Sequence, residues 1–162
     1  MSGPNYIRSG RALVLLAAVC VAGCMSERQI MLETRGPHST VISAQAILQG
    51  AELAEGESSF YGVVAGTGTQ SVCVLRLGGI AVLQARHHRE HDLTIVCVAG
   101  SAIVEIEEER SFVEAPACIV VPRLHNYKIV PLRGEADFMA ILVYSPPFDG
   151  EDEALAGDES LP

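Results

Sequence analysis

Four of the five histidines of this chain fall in two places of the sequence, one short run and one later position. These residues are His87, His88, His91 and His125. Neutral imidazoles together with a carboxylate suit Zn, Fe, Mn, Ni or Cu, and a site of two or three histidines and one acid leaves a coordination position open for water or substrate. If the fold brings both places together, they predict a divalent transition metal site with the ligands His88, His91, Asp92 and His125.

Two residues beside these histidines predict a second use of the site. Arg86 shares a strand face with His88, because alternate residues of a strand point to the same side, and a guanidinium can bind a carboxylate or phosphate through two hydrogen bonds. His87 would replace His88 if the register slipped by one residue. Arg86 and His87 are therefore the predicted ligand-binding residues. Without metal, the histidines would hydrogen-bond one another, Asp92 and Glu90, and Arg86 would be a surface charge.

Short strands must position these residues. From Ser71 onward, mostly β-branched apolar runs are separated by turn residues, which is the layout of a sandwich or barrel. The predicted strands are 71–77, 80–85, 93–99, 102–106, 112–114, 118–121, 127–130 and 138–144. Gly78-Gly79 separates the first two as a hairpin-like break, and a short helix is predicted within 43–53. Antiparallel pairing buries such short runs, and closure of the sheet removes exposed edges, so the sequence predicts an all-β barrel.

The spacing of the first histidine group resembles the first motif of the cupin superfamily. That motif runs glycine, five residues, H-x-H, three or four residues, E, six residues, glycine. Counted back from Gly100, His88 falls on the second histidine and Arg86 on the first. Leu93 falls on the glutamate, and Gly79 lies one residue too far to be the first glycine. The pair His-Asp just before Leu93 is similar to a pair found in many compact microbial cupins.

The second cupin motif runs glycine, five residues, P-x-G, two residues, H, three residues, N. Pro116 stands in place of its glycine, Pro122 fits its proline, and His125 follows two residues early. Ile129 replaces the asparagine. The resemblance covers roughly residues 71–152. It implies a single antiparallel β-barrel of the double-stranded β-helix or jelly-roll kind.

The resemblance leaves the function open. Arg86 and Leu93 replace two of the four customary metal ligands, so a site would have to be rebuilt from the remaining residues. Those residues are His88, His91 or Asp92, and His125. One function is the binding of a small molecule, with or without a metal, inside the barrel. The others are a metal-dependent enzyme of dioxygenase or isomerase type acting on a small polar substrate, and a metal-free barrel that serves protein contacts. Cupin barrels often form dimers, so the resemblance also implies a homodimer as one alternative for the oligomeric state.

The N-terminal segment predicts export and lipidation. Arg8 and Arg11 precede the uncharged run 12–22, which is shorter than the about 20 apolar residues of a membrane-spanning helix. The run ends in Val-Ala-Gly-Cys24, which resembles the lipobox of bacterial lipoproteins. This resemblance implies cleavage before Cys24 and palmitate-type acylation, each buried CH2 contributing roughly 0.8 kcal/mol of membrane attachment. Met25 is not a retention aspartate, so we expect a cell-envelope anchor, in the outer membrane if the host is Gram-negative.

The sequence divides into four predicted segments: a signal peptide (1–23), a lipidated N-terminus and tether (24–42), a barrel domain (43–150) and an acidic tail (151–162). Cleavage would remove two arginines and no acid, which changes the formal net charge from −9 to −11. Such a surface repels phosphate backbones, so nucleic-acid binding is not expected. The barrel keeps three cysteines, Cys73, Cys97 and Cys118, for which buried thiols and one disulfide both remain open.

Overall fold

A computed structural model describes residues 26–27, 43–132, 136–148 and 153–155 of the chain. The predicted signal peptide and Cys24 lie outside the described residues. The all-β prediction is confirmed, since the described part contains eleven strands and one short helix. The elements are β1 (Ser26–Glu27), α1 (Ala44–Gly50), β2 (Ser59–Gly66), β3 (Ser71–Leu77), β4 (Leu83–His88), β5 (Asp92–Ala99), β6 (Ser101–Ile106), β7 (Glu109–Glu114), β8 (Ala117–Val121), β9 (Tyr127–Pro131), β10 (Phe138–Ser145) and β11 (Glu153–Leu155).

The strands form two sheets around one core. One sheet has the order β1-β2-β3-β10-β5-β8 and the other β11-β4-β9-β6-β7. Among the described strands, β1 and β2 pair in parallel and the other pairings are antiparallel. Inward residues of both sheets, such as Leu75, Ile95 and Ile129, share a single apolar cluster. The period-2 alternation of the strands therefore builds the core that the sequence predicted.

Helix α1 covers part of the outer face of the six-stranded sheet. Val74 lies between two inward residues of β3, so its side chain points outward and joins a second apolar cluster. Ile47 of the helix packs there with Phe60, Val64, Val74 and Met139. The weak helical spacing within 43–53 thus corresponds to a real helix. No helix among the described residues has the length and apolar character to cross a membrane.

The prediction of a hairpin at Gly78-Gly79 was wrong. β3 belongs to the six-stranded sheet and β4 to the other, so the chain crosses between the sheets at this point. β4 also begins at Leu83, three residues later than predicted, and Ile80 is 81% exposed. A Cβ on Gly78 would lie 3.2 Å from the carbonyl oxygen of Ser58, which shows how tightly the crossing is packed. Two apolar runs around two glycines look alike in a hairpin and in a crossover.

A second crossover depends on Gly100, the residue from which the first cupin motif was counted. It joins β5 in one sheet to β6 in the other and has a φ of +72°. A Cβ at this position would lie 2.6 Å from the carbonyl oxygen of Asp137, closer than such contacts occur in proteins. Both the left-handed backbone and the close approach require glycine.

Replacing Gly100 by alanine should lower the free energy of unfolding by about 2 kcal/mol or more, since the backbone strain adds to a clash with main-chain atoms. Urea denaturation of the chain from Ser26 to Pro162, which contains every described element, measures this change. Gly79→Ala is the matched control, because nothing lies within 4 Å of a Cβ there. Equal stability of Gly100→Ala and the unaltered protein would contradict the prediction.

Two short strands extend beyond the predicted barrel bounds of 43–150. β1 lies in the predicted tether and pairs with β2, and β11 lies in the predicted acidic tail and pairs with β4. β2 was also missing from the predicted strands. A sheet edge presents unpaired backbone groups that attract a further strand, which gives these polar segments a place in the fold despite their composition.

The three cysteines of the barrel are not joined by a disulfide in the described residues. Cys73 and Cys97 are buried on inward positions of β3 and β5, and Cys118 is exposed on β8. Within the part of the chain that the structure describes, these three cysteines form no disulfide with one another. Two of them behave as small core residues.

Candidate functional site

The candidate site lies where β4 ends and the loop to β5 begins. His88, the last residue of β4, is 2% exposed, and His91 in the loop is 3% exposed. Buried side chains in the described part are otherwise almost all apolar. An imidazole loses hydration when it is buried, so it needs polar partners inside the protein. These two histidines mark the polar end of the barrel interior.

Three aromatic rings surround the two imidazoles: Tyr127 of β9, Tyr144 of β10, and Phe148. The ring centroid of His88 lies 5.1 Å from that of Tyr144 and 5.3 Å from that of Phe148, both edge to face. Tyr144 and Phe148 stack at 4.8 Å. These separations are typical of attractive aromatic pairs. We call the five residues His88, His91, Tyr127, Tyr144 and Phe148 the aromatic cluster.

Hydrogen bonds fix the orientation of both imidazoles. Nε2 of His88 lies 3.2 Å from the hydroxyl oxygen of Tyr127. Nε2 of His91 lies 2.9 Å from the carbonyl oxygen of Pro147. A carbonyl oxygen only accepts, so the proton of this bond must be on Nε2 of His91. The backbone N–H of Phe148 donates to Oγ of Ser71 at 3.0 Å, which holds this part of the cluster against β3.

A line of hydroxyl groups runs from the aromatic cluster into the barrel. Tyr144 interacts electrostatically with both Tyr61 and Tyr127. The Tyr61 hydroxyl donates to Sγ of Cys73 at 3.0 Å. Burial raises the pKa of all three phenols well above the usual value of 10. We call Tyr61, Tyr144 and Tyr127 the hydroxyl chain. Its members stay neutral near pH 7, so each can both donate and accept a hydrogen bond.

Arg86 adds a positive charge at the same end of the barrel. Its Nη1 donates to Oε1 of Glu153 in an ion pair, and its Nε donates to the carbonyl oxygen of Gln84 at 3.1 Å. Glu153 belongs to β11, where it is the register partner of His88. Glu153 raises and Arg86 lowers the pKa of Tyr127, so both charges act on that hydroxyl. Arg86, which was predicted to bind an anionic ligand, therefore binds the carboxylate of Glu153 from the same chain.

Two predicted metal ligands lie away from the aromatic cluster. Asp92 accepts a hydrogen bond from the backbone N–H of Arg123 at 3.0 Å and one from its guanidinium at 2.9 Å. These bonds lower the pKa of Asp92. His125 is exposed, and its Nδ1 donates to the carbonyl oxygen of Arg123 at 3.1 Å. The predicted set of four ligands does not converge, because the turn after β8 pairs Asp92 with Arg123 and leaves His125 in solvent.

The other predicted ligand-binding residue, His87, is also separate from the aromatic cluster. Neighbouring residues of a strand face opposite sides, so His87 points away from the direction of His88. Its Nδ1 lies 3.3 Å from Oδ1 of Asn126. The register that places His88 inside the barrel is the one that the sequence motif favoured.

The described residues do not fit the metal site of the cupin motifs. No group of three or more His, Cys, Asp or Glu side chains in this part of the chain is arranged to hold a metal ion. Leu93, at the glutamate position, is a 1% exposed core residue. Nε2 of His88 and Nε2 of His91 are both within hydrogen-bond distance of oxygen atoms. Imidazole and phenol groups occupy the place of the ligand set.

The sequence reasoning missed the tyrosines, although one signal was available. Tyr127 lies five residues after Pro122, where the second motif places its histidine. A phenol in that position replaces a metal ligand by a hydrogen-bonding group, and His125 is then an unrelated histidine nearby. Tyr61 and Glu153 carried no such signal, since β2 and β11 were not predicted as strands.

Solved structures with this fold match the chain. A conserved protein with a double-stranded beta-helix domain from Klebsiella pneumoniae aligns with a TM-score of 0.60 at 18% identity, covering 73% of this chain and 97% of that chain. KdgF from Halomonas sp. aligns with a TM-score of 0.54 at 26% identity, covering 57% and 82%. The cupin domain of Cnp3 from Schizosaccharomyces pombe gives 0.55 at 12%, covering 61% and 71%.

No protein-family model matches the sequence, and no curated protein matches it. The structural matches agree with the two facing, mostly antiparallel sheets of this chain. The chain has the cupin fold, a single double-stranded β-helix barrel.

Proposed function

We propose that this protein is a lipid-anchored component of the bacterial cell envelope whose barrel binds a small polar molecule at the aromatic cluster. The observation that carries the proposal is the group of buried polar side chains at one end of an otherwise apolar barrel. Burying imidazole and phenol groups costs free energy that apolar residues of similar volume would not cost. A few convergent polar groups within apolar walls are the usual make-up of a small-molecule site.

The aromatic cluster and its surroundings supply three kinds of contact. The rings of Tyr144 and Phe148 offer stacking surfaces. The hydroxyl of Tyr127 and the imidazole of His88 offer groups that donate or accept hydrogen bonds. Arg86 adds a guanidinium with several N–H donors. Together they suit a small molecule that carries hydroxyl, carbonyl or acidic groups beside a flat or ring-shaped part.

A fragment screen tests this proposal. We expect small polar fragments to shift the NMR signals of the aromatic cluster in the chain from Ser26 to Pro162. Tyr127→Phe and His88→Gln should each weaken binding by about ten-fold, since one hydrogen bond to a buried partner contributes roughly 1–1.5 kcal/mol. His125→Gln is the matched control, because His125 lies in solvent. Fragments that bind all four proteins equally, or no binding at all, would contradict the proposal.

The contact between His88 and Tyr127 favours one alternative function, an enzyme that uses acid–base chemistry. Nε2 of the imidazole and the phenol oxygen are 3.2 Å apart, and both residues are buried. A histidine is the commonest general acid or base, and a neighbouring phenol can orient it or pass a proton to it. The substrate would again be a small polar molecule. Turnover of any bound fragment that is lost in both Tyr127→Phe and His88→Gln would favour this alternative.

Metal content distinguishes a metal-dependent enzyme from the small-molecule binding protein and from the acid–base enzyme. We expect the chain from Ser26 to Pro162, expressed without affinity-tag histidines and loaded with Zn, Fe, Mn, Ni and Cu in turn, to retain far less than one metal ion per protein. The two buried imidazoles lack a third ligand among the described residues. Elemental mass spectrometry makes the measurement. Stoichiometric metal that is lost in the double variant His88→Ala, His125→Ala would restore the metal site predicted from the sequence.

The lipid anchor has its own test. The full chain, expressed in a bacterium fed with an alkyne-tagged palmitate, should carry the tag and sediment with the membranes, because several acyl chains make attachment durable. Cys24→Ser should lose the tag and leave the membrane fraction. Cys20→Ser is the matched control, since that cysteine lies in the run expected to be removed. Labelling that survives Cys24→Ser would contradict the anchor.

A further inference from the structure

We propose that the molecule bound at this site is a small carboxylic acid, and that Glu153 occupies the position of its carboxylate when the site is empty of ligand. Arg86 is the group that binds the carboxylate in either case. This inference rests on the proposed binding function and adds to it the chemical class of the ligand and a competitor within the chain.

The guanidinium of Arg86 is held in place from its own strand. Nε of Arg86 donates to the carbonyl oxygen of Gln84, two residues earlier on β4. This bond does not involve Glu153, so the guanidinium keeps its orientation when the partner changes. Its side chain is only 13% exposed, which strengthens an ion pair relative to one in water. Arg86 is therefore a preformed anion-binding group.

The carboxylate of Glu153 lies where a ligand carboxylate would meet the aromatic cluster. Glu153 is the register partner of His88, and its charge raises the pKa of the Tyr127 hydroxyl. A carboxylate at this position contacts Arg86 and places the rest of its molecule toward the rings. One compound would then contact both groups of residues. Its carboxylate would bind Arg86, and the rest of the molecule would pack against the aromatic cluster.

The strand that supplies Glu153 is held by little of the barrel. β11 has three residues, none of which is buried, and Leu155 is 48% exposed. It is an edge strand whose pairing partner is β4. Strands that bury little apolar surface exchange with solvent at low free-energy cost. By contrast, the acid of the Arg76–Asp137 pair directly precedes the buried Phe138 of β10. A ligand can displace Glu153 without disturbing the core.

An internal competitor weakens the apparent affinity for the ligand in proportion to the time it occupies the site. If Glu153 is bound to Arg86 in nine molecules of ten, the apparent dissociation constant of a carboxylate is about ten-fold higher than its intrinsic value. Glutamine keeps the size of the side chain and removes the charge. Glu153→Gln should therefore tighten carboxylate binding, whereas a structural ion pair would give no such gain.

The experiment compares small ring-containing carboxylates, such as benzoate and phenylacetate, with their uncharged amides, by calorimetry on the chain from Ser26 to Pro162. We expect Glu153→Gln to bind the carboxylates about ten-fold more tightly than the unaltered chain and to bind the amides equally. Arg86→Gln should abolish the preference for carboxylates. Glu105→Gln is the matched control, because it removes an ion-paired acid from the outside of β6 and should change nothing.

Hydrogen exchange gives an independent readout of displacement. Carboxylate binding should speed exchange of the β11 backbone amides, because the strand loses the ion pair that helps to hold it. Unchanged exchange, or equal carboxylate affinity in Glu153→Gln and the unaltered chain, would overturn the inference. If amides bind at the aromatic cluster and carboxylates gain nothing, the proposed function stands and this inference falls. If neither class binds, both fall.

Discussion

At a pH of about 10.5, where free tyrosine is largely ionised, the folded protein should show almost no phenolate absorbance. The chain has four tyrosines and no tryptophan, and Tyr6 lies in the predicted signal peptide. The other three are the hydroxyl chain, Tyr61, Tyr127 and Tyr144. Burial raises the pKa of each of them above its usual value. In the chain from Ser26 to Pro162, which lacks Tyr6, absorbance at the phenolate wavelength therefore reports on the hydroxyl chain alone.

The same shifts make stability fall steeply in alkali. An unfolded tyrosine ionises near pH 10, whereas the folded one stays neutral to higher pH. The stabilisation is complete below about pH 10 and is lost as the pH rises toward the folded pKa values. Each phenol contributes a loss of up to about 1.4 kcal/mol per pH unit. We expect one transition, in which phenolate absorbance and loss of circular dichroism coincide.

A pH titration of the chain from Ser26 to Pro162 measures both signals on one sample. Tyr127→Phe should lose about a third of the absorbance change, because each phenol contributes equally when it ionises in the unfolded chain. Phenolate absorbance that rises near pH 10 while the circular dichroism is unchanged would contradict the prediction. It would mean that at least one hydroxyl group of the hydroxyl chain is accessible to water.

Tyr144→Ala should lower the free energy of unfolding by about 3–5 kcal/mol. Tyr144 is 2% exposed, and its ring contacts both imidazoles and Phe148. Its hydroxyl also interacts electrostatically with those of Tyr61 and Tyr127. Removal of the ring leaves a cavity and removes a polar group that interacts with two buried phenols, and both effects act in the same direction.

Two further variants separate these effects. Tyr144→Phe keeps the ring and should cost about 1–3 kcal/mol, because it removes a buried hydroxyl and its polar interactions. Phe112→Ala is the control for loss of an aromatic side chain, since Phe112 is 59% exposed on β7, and its effect should be within about 0.5 kcal/mol. Denaturant unfolding supplies the three values. A cost for Tyr144→Ala no larger than for Phe112→Ala would show that the cluster contributes little to folding.

The sequence predicted the barrel well because the strands carry their pattern locally. β3 matches its predicted range of 71–77, and β5 differs by one residue at its start. Alternating burial along such strands follows from the pleat and can be read without knowledge of the partner strands. Short runs such as β1 and β11 have no pattern of their own, since their place depends on a sheet edge far away in sequence.

The candidate site was harder to predict because it depends on which distant residues meet. Arg86 and His88 lie on the strand that the motif indicated, and both act on Tyr127 of β9. The predicted ligands Asp92 and His125 are as close in sequence to this strand and to β9, but local hydrogen bonds with Arg123 keep them outside. The alternation of residues along a strand predicts which face of the sheet a side chain lies on. The residue that it meets on another strand depends on the topology of the sheets. The Arg86–Glu153 pair joins residues 67 positions apart.

The position of β1 sets how far the barrel could stand from a lipid bilayer. β1 begins at Ser26 and pairs with Phe60 and Tyr61 of β2. If Cys24 carries lipid as we propose, only two peptide steps, about 7 Å of extended chain, connect the acylated residue to the first paired strand. The barrel would then be held close to the membrane surface. The edge of β2 would lie near the lipid headgroups. The barrel would therefore bind its ligand within nanometres of the membrane surface.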